Sequence, residues 1–223
     1  MSKAAPWAYS RINKFKTCPK QYYHTLIAKD YAEEFSGEKQ MYGNAVHTAA
    51  QEFIDWGKPV PKKFEFMVPV LESLKAKTGE KLCELKLGIT EDLKPCEFFD
   101  DNVWFRTIID LLIVDGDVAY VIDYKAGSNK YVDKGQLELM ALVVFIHYPE
   151  VTAVRSGLLF VVHDNAVRET FSRSDQTWMW NKWMQEYSKL EEAHDLDVWN
   201  PTQNGLCKRH CVVTECVYNG KNA

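Results

Sequence analysis

The sequence predicts a mixed α/β domain, and three observations carry that prediction. The first third has apolar residues at helical spacing, the middle switches at Leu82 to alternation with period two, and a helical stretch then separates two further groups of strands. At 223 residues with 46% hydrophobic content, the chain is expected to bury one core and to form a single domain, residues 1–223. Its expected parts are a helical N-terminal region (1–80), a sheet core (81–171), a long helix (172–200) and a Cys-rich tail (201–223).

Ser10 to Ala28 reads as a helix with Ile12, Phe15, Tyr22 and Leu26 as its apolar positions and a break at Pro19. Met41 to Trp56 and Phe64 to Lys77 read as two more helices. From Leu82, the apolar Cys83, Leu85, Leu87 and Ile89 alternate with Glu84, Lys86 and Gly88, the pattern of a half-buried strand. Strands are expected over Val103–Val114 and Val118–Tyr124, a helix over Lys134–His147, strands over Gly157–His163 and Val167–Phe171, and a Trp-rich helix over Ser174–His194. Core packing is the preferred reading for Trp178, Trp180, Trp183 and Tyr187 on that helix, with base stacking as the alternative.

The formal net charge is -4, yet residues 1–29 hold Lys3, Arg11, Lys14, Lys16, Lys20 and Lys29 without an Asp or Glu. That segment could meet phosphates, although a solvated helix face explains the charge as well. No run of about 18 apolar residues appears and the N-terminus lacks an apolar signal block, so a cytoplasmic protein with no membrane partner is expected. In that compartment the six cysteines are read for metal before disulfides. No G-x-x-x-x-G-K-[ST] loop is present, so ATP-driven unwinding is expected to come from a partner such as a helicase.

The segment LLIVDGDVAYVIDYK carries the chemistry. Asp115-Gly116 is a strong hairpin signal. With those two residues as the turn, Asp110 is expected opposite Val121 and diagonal to Asp123, with Asp123 and Lys125 on the same face. Two carboxylates so placed repel unless a cation joins them, and a hard divalent ion such as Mg²⁺ or Mn²⁺ suits oxygen ligands. Lys125 would then offset charge on a reacting phosphate or hold the attacking water.

IIDLLIVDGDVAYVIDYKAG, with Gly43-Asn44-Ala45-Val46-His47 upstream, resembles the PD-(D/E)XK nuclease superfamily, in particular its RecB-type branch of CRISPR-associated RecB-like exonucleases and the AddB nuclease domain. The resemblance implies a restriction-endonuclease-like α/β core and a metal-dependent deoxyribonuclease, an exonuclease, acting on DNA, with single-stranded DNA among the candidate substrates. It implies His47, Asp110, Asp123 and the Tyr124 carbonyl as metal ligands, Lys125 as catalytic, and Gln136 as the start of a Q-x-x-x-Y helix. Position 140 is Met and position 107 is Thr where relatives carry Tyr and Gly. Glu84, on the polar face of its strand, is a further metal candidate that the resemblance implies, matching an additional acid in relatives.

Cys18 together with Cys207, Cys211 and Cys216 resembles the iron-sulfur staple of the same relatives, implying a structural [4Fe-4S] cluster. The spacing Cys-x3-Cys-x4-Cys departs from the family's Cys-x2-Cys-x5-Cys, and His210 stands where the middle Cys is expected. Zinc held by Cys18, Cys207, His210 and Cys216 is the alternative. Cys83 and Cys96 read as small core residues without chemistry. The rival to the whole enzymatic reading is a non-catalytic nucleic-acid-binding or assembly subunit with the same fold.

Overall fold

The computed structural model describes residues 6–32, 37–127 and 132–222. Its elements run α1 (Tyr9–Thr17), α2 (Pro19–Tyr22), a π turn (Tyr23–Ile27), α3 (Gly37–Trp56), a 3-10 turn (Lys62–Met67) and α4 (Val68–Lys75). Then follow β1 (Glu80–Ile89), β2 (Pro95–Cys96), β3 (Phe105–Asp115), β4 (Val118–Lys125), α5 (Gly135–His147), β5 (Ala153–Phe160), a 3-10 turn (Val161–His163), β6 (Asn165–Ser172) and α6 (Gln176–Leu196). The expected helices and strands are all present, with edges moved by a few residues. Two details differ: Phe64–Lys77 opens as a 3-10 turn before it becomes helix, and the two-residue β2 carries no alternation that a sequence could show. The basic N-terminal segment includes Lys3, which lies outside the described residues.

The chain divides into two compact units, one containing Gly37–Trp180 and the other Trp7–Ser36 with Asn181–Ala223. The first holds one six-stranded mixed sheet in the order β2-β1-β3-β4-β5-β6. All neighbours are antiparallel except β4 and β5, which run parallel and are joined by the crossover α5. On one face Leu111, Ile113, Ile122, Tyr124, Leu159 and Val161 pack against Val46, Ala50 and Ile54 of α3 and Leu71 and Leu74 of α4. On the other, α5 supplies Leu137, which packs with Leu158 and Phe160.

Helix α5 explains its own placement. Leu137 and every residue from Leu139 to Phe145 are buried, so no side of it is left for water and it must lie under other elements. Its far end is fixed by Arg173, whose guanidinium donates to the carbonyls of Phe145 (2.9 Å), Tyr148 (2.7 Å) and Val151 (2.7 Å), groups that a helix terminus leaves unpaired.

The hairpin joining β3 to β4 corrects the sequence reading. Asp115 pairs with Val118, so the two turn residues are Gly116 and Asp117, and Gly116 takes the left-handed φ of +61° at the leading position. The register therefore moves by two residues, and continuing it past Leu111↔Ile122 sets Asp110 directly opposite Asp123 rather than diagonal to it.

The second unit gathers the chain ends. Ile12, Phe15 and Tyr22 are buried as expected, and Trp7 stacks on Tyr187 at 5.2 Å. Trp199 stacks between Tyr22 (5.8 Å) and Tyr23 (5.3 Å). Trp183 and Tyr187 are buried, as is Trp180 in the first unit, while Trp178 is exposed. Lys16 reaches Glu186 at 3.8 Å.

Candidate metal centre and cysteine cluster

The β3-β4 ladder ends at Leu111↔Ile122, and the acids sit where the two strands part. Asp110 substitutes for the missing ladder bond: its Oδ2 accepts the backbone N–H of Tyr124 at 2.7 Å. Strand alternation gives Asp123 and Lys125 to the α5 side of β4, opposite to Tyr124. There Lys125 Nζ stands 2.7 Å from Asp123 Oδ2. Gln136, in the first turn of α5, donates from Nε2 to Asp123 Oδ1 at 2.7 Å and accepts from Lys125 Nζ at 3.0 Å.

His47 comes from α3, packed on the other face of the sheet. Its Nδ1 lies 3.3 Å from Asp110 Oδ1 and 3.8 Å from Glu84 Oε1, and its ring meets the Tyr124 ring edge-on at 6.2 Å. His47, Glu84 and Asp110 each bring a ligand atom within 4.8 Å of the others, and among the described residues no other set of three His, Cys, Asp or Glu side chains does so. The sequence reading ranked Glu84 last among the metal candidates, yet it belongs to this set and Asp123 does not. Asp123 is engaged with Lys125 and Gln136 instead.

Glu84 arrives by an unusual backbone. Its neighbours pair as Cys83↔Leu111 and Leu85↔Ile109, but Glu84 itself, opposite Asp110, drops out of the ladder with φ +49°. A left-handed residue of this type costs about 1 kcal/mol, and such strain recurs at functional sites. Alternation in the sequence cannot reveal it, because the strand continues in register on both sides.

Electrostatics agree with a cation-binding role. Burial, and then the Asp110 charge, push Asp123 up from 3.8 to about 6. Burial and Asp110 also raise Glu84. His47 is raised, chiefly by its hydrogen bond to Asp110. Without an ion, Asp123 and Glu84 thus hold protons more readily than free carboxyls do. Asp123 Oδ2 is buried and has no well-aligned donor even though Lys125 Nζ is close, so it keeps unused acceptor capacity. The donor set of one imidazole and several carboxylate oxygens fits a divalent metal, and a hard ion suits the oxygens.

The four candidate cysteines are all in the second unit. All are free, with Cys18 and Cys216 buried and Cys207 and Cys211 half-buried. The backbone N–H of Thr202 points at Cys18 Sγ (3.5 Å) and that of Asn204 at Cys207 Sγ (3.4 Å). Burial raises Cys211 most, and the charges of Cys18, Cys207 and Cys216 act on it in the same direction. His210 is exposed. Among the described residues no three of the sulfurs lie within 4.8 Å of one another. Thiol sulfurs are soft donors and suit a soft metal group. Sequence reading did not find the residues that shape this cluster. Asn204 Nδ2 donates to Thr17 O at 3.0 Å, and buried Asn219 donates to the carbonyls of Cys211 (2.9 Å) and Val213 (3.0 Å).

Cys83 packs partly buried against the α3 side of the sheet and Cys96 is half-buried in β2. No helix among the described residues is long and apolar enough to cross a membrane.

The family model of the PD-(D/E)XK nuclease superfamily matches residues 6–77, a stretch that contains Gly43 and His47 and ends before Asp110. No curated protein matches the sequence. Two solved structures share the fold: the protein SSO0001, at 14% identity and a TM-score of 0.50 over 97% of this chain and 87% of that one, and a candidate exonuclease from Eubacterium rectale, at 10% identity and a TM-score of 0.52 over 98% and 88%. Over residues 6–77 the sequence is thus similar to the PD-(D/E)XK nuclease superfamily, and over nearly its whole length the chain shares the fold of these two structures.

Proposed function

We propose that the protein is a metal-dependent deoxyribonuclease of the RecB-type branch, an exonuclease that hydrolyses phosphodiester bonds of DNA. The observation that carries the reading is the meeting of His47, Glu84 and Asp110 within 4.8 Å of one another, beside an Asp123–Lys125 pair held by Gln136. The superfamily match over residues 6–77 and the fold shared with the candidate exonuclease support it.

His47, Glu84, Asp110 and Asp123, with the Tyr124 carbonyl, would hold Mg²⁺ or Mn²⁺. When bound, such an ion supplies positive charge to a scissile phosphate and lowers the pKa of a water. The chain's own groups do the rest. Lys125, kept beside Asp123 by the Gln136 amide, presents an ammonium that can hold the attacking water and offset charge on the phosphate. Gln136 fixes both partners, so neither side chain has to be ordered when substrate arrives. Burial of Asp110 and Asp123 keeps bulk water from screening these charges.

The four cysteines would hold a structural [4Fe-4S] cluster that ties Cys18 to a tail nearly 190 residues further along the chain, as the difference from Cys207 (207 − 18 = 189) indicates. The backbone N–H groups aimed at Cys18 and Cys207 sulfur support this. We place the protein in the cytoplasm, working with a helicase or recombination partner that supplies separated strands.

The test uses end-labelled single- and double-stranded DNA with Mg²⁺ or Mn²⁺. Asp123→Ala and Lys125→Ala should each abolish metal-dependent degradation; undiminished cutting by either rejects the assignment. For the cluster, iron content and visible absorption should vanish in Cys207→Ser, and a colourless zinc-containing native protein rejects it.

A further inference from the structure

Beside the candidate metal centre, the first unit has a hollow of about 270 Å³ between the 3-10 turn Lys62–Met67 and the β5–β6 hairpin. Its lining includes buried Leu159 and half-buried Ala166 together with the exposed Phe66, Asp164, Asn165 and Arg168. The hollow opens on the strand next to the site: Leu159 is the parallel partner of Tyr124, about 5 Å away across the ladder. It also lies at the carboxyl end of the only parallel pair among the described strands, the place where open α/β sheets receive ligands.

The chemistry of the lining selects among occupants. A volume of this size is below that of pockets for drug-sized molecules and suits one planar ring system with its sugar. Phe66 is 45% exposed, an aromatic face left for something to stack on. Asn165 Oδ1 already accepts from the Ala166 N–H at 2.8 Å, which leaves the amide NH₂ as the group that can meet a ligand. With the Asp164 carboxylate this gives a donor and an acceptor side by side, able to meet the edge of a base. Arg168 is exposed and has no ion-pair partner among the described residues. Lys62 and Lys63 on the turn that carries Phe66 are exposed as well. The cations suit a phosphate backbone, while Asp164 repels one and so fixes which side of the hollow the backbone takes.

We propose that this hollow binds one unpaired nucleobase of a nucleic-acid strand, stacked on Phe66 and read at its edge by Asp164 and Asn165, with the adjoining phosphate on Arg168. The proposal rests on the nuclease reading and narrows its substrate to strands with an unpaired base next to the cut.

The experiment is fluorescence anisotropy of the full-length protein in EDTA with labelled oligo-dT, oligo-U and a blunt duplex. Phe66→Ala should weaken binding of a single strand about ten-fold, within the range of loss of one base–aromatic stack. Phe66→Trp should restore it, which a folding defect would not allow. Arg168→Ala should reduce the salt dependence by the equivalent of about one phosphate contact. Phe99→Ala, at an aromatic elsewhere on the same unit with 74% exposure, should bind as wild type. Preference for oligo-dT or oligo-U reports the thymine methyl and the 2′-OH together, and either supports the pocket. Unchanged affinity of Phe66→Ala for both strands, or an equal loss in Phe99→Ala, overturns it and leaves the hollow to a protein partner. The two readings fail separately. Wild-type protein that binds strands through Phe66 but cuts nothing keeps the pocket and loses the nuclease; active protein indifferent to Phe66 does the reverse.

Discussion

Gln136 touches both members of the Asp123–Lys125 pair, donating to Asp123 Oδ1 at 2.7 Å and accepting from Lys125 Nζ at 3.0 Å. An amide carries both functions on one planar group, the NH₂ as donor and the oxygen as acceptor. Gln136→Ala should lower kcat about ten-fold by releasing Lys125, with little change in where activity falls on the acid side. Gln136→Glu should do worse, because it sets a second carboxylate against Asp123 and moves the acid limb to higher pH. A kcat–pH profile of each variant checks this, and an acid limb in Gln136→Glu identical to that of wild type would remove Gln136 from contact with Asp123.

Asp123 carries its own pH signature. Its folded-state value is raised from 3.8 to about 6, first by burial and then by Asp110, so the metal-free fold holds that proton more tightly than the unfolded chain. The resulting stabilisation is complete below 3.8 and disappears as pH rises through about 6. Other carboxylates titrate in the same window, so the quantity to measure is the difference from Asp123→Asn, which cannot ionise. In urea titrations with chelator, wild type should lose stability relative to Asp123→Asn between pH 4 and pH 7. A metal requires the ionised form, so the stabilisation given by Mn²⁺ should grow over the same interval. A wild-type minus variant difference that is flat with pH would show that the carboxyl is not held protonated.

Much of this was legible in the sequence, and the reasons for the remainder are local. Apolar patterning located every strand longer than two residues: alternation in the sequence marks β1, while β3 and β4, buried on both faces at their centres, read as short apolar runs on either side of a turn. It could not choose between Asp115-Gly116 and Gly116-Asp117 as the turn, for both place a glycine at a position that accepts positive φ. That two-residue ambiguity preserves the face of every side chain, so the pairing of Asp110 with Asp123 survived while its geometry changed from diagonal to opposite. Glu84 was undervalued for a different reason. Its contribution depends on one backbone dihedral, which leaves no trace in composition or spacing.

The tail should be as sensitive to backbone as to sulfur. Gly220 donates its N–H to Cys207 O at 3.0 Å, and a Cβ at this position would lie 2.3 Å from the Lys208 carbonyl oxygen. Contact that short with backbone cannot be relieved by turning a side chain, so Gly220→Ala must shift the segment bearing Cys207. Purified Gly220→Ala should retain less iron per chain than wild type, and chelation should lower its Tm less. Exposed His210, by contrast, should be replaceable by Ala without metal loss. Metal loss in His210→Ala with full iron in Gly220→Ala would favour the zinc arrangement.

Glu84 offers the sharpest separation of stability from function. It adopts φ +49°, and its carboxyl is raised by burial and by the facing Asp110, so the metal-free protein bears both strain and repulsion there. Glycine adopts this conformation without the steric cost and removes the charge. Glu84→Gly should therefore raise the Tm measured in EDTA by a few degrees, since about 1 kcal/mol corresponds to about 2 to 4 °C in a chain of this size. The same variant should lose much of the Tm increase that Mn²⁺ gives to wild type, because a third of the His47, Glu84 and Asp110 donor set is gone. Opposite signs in the two conditions are the expected result, measurable in one thermal-shift series. A variant less stable in EDTA than wild type, or equally stabilised by Mn²⁺, would show that the left-handed backbone at Glu84 serves packing and not an ion.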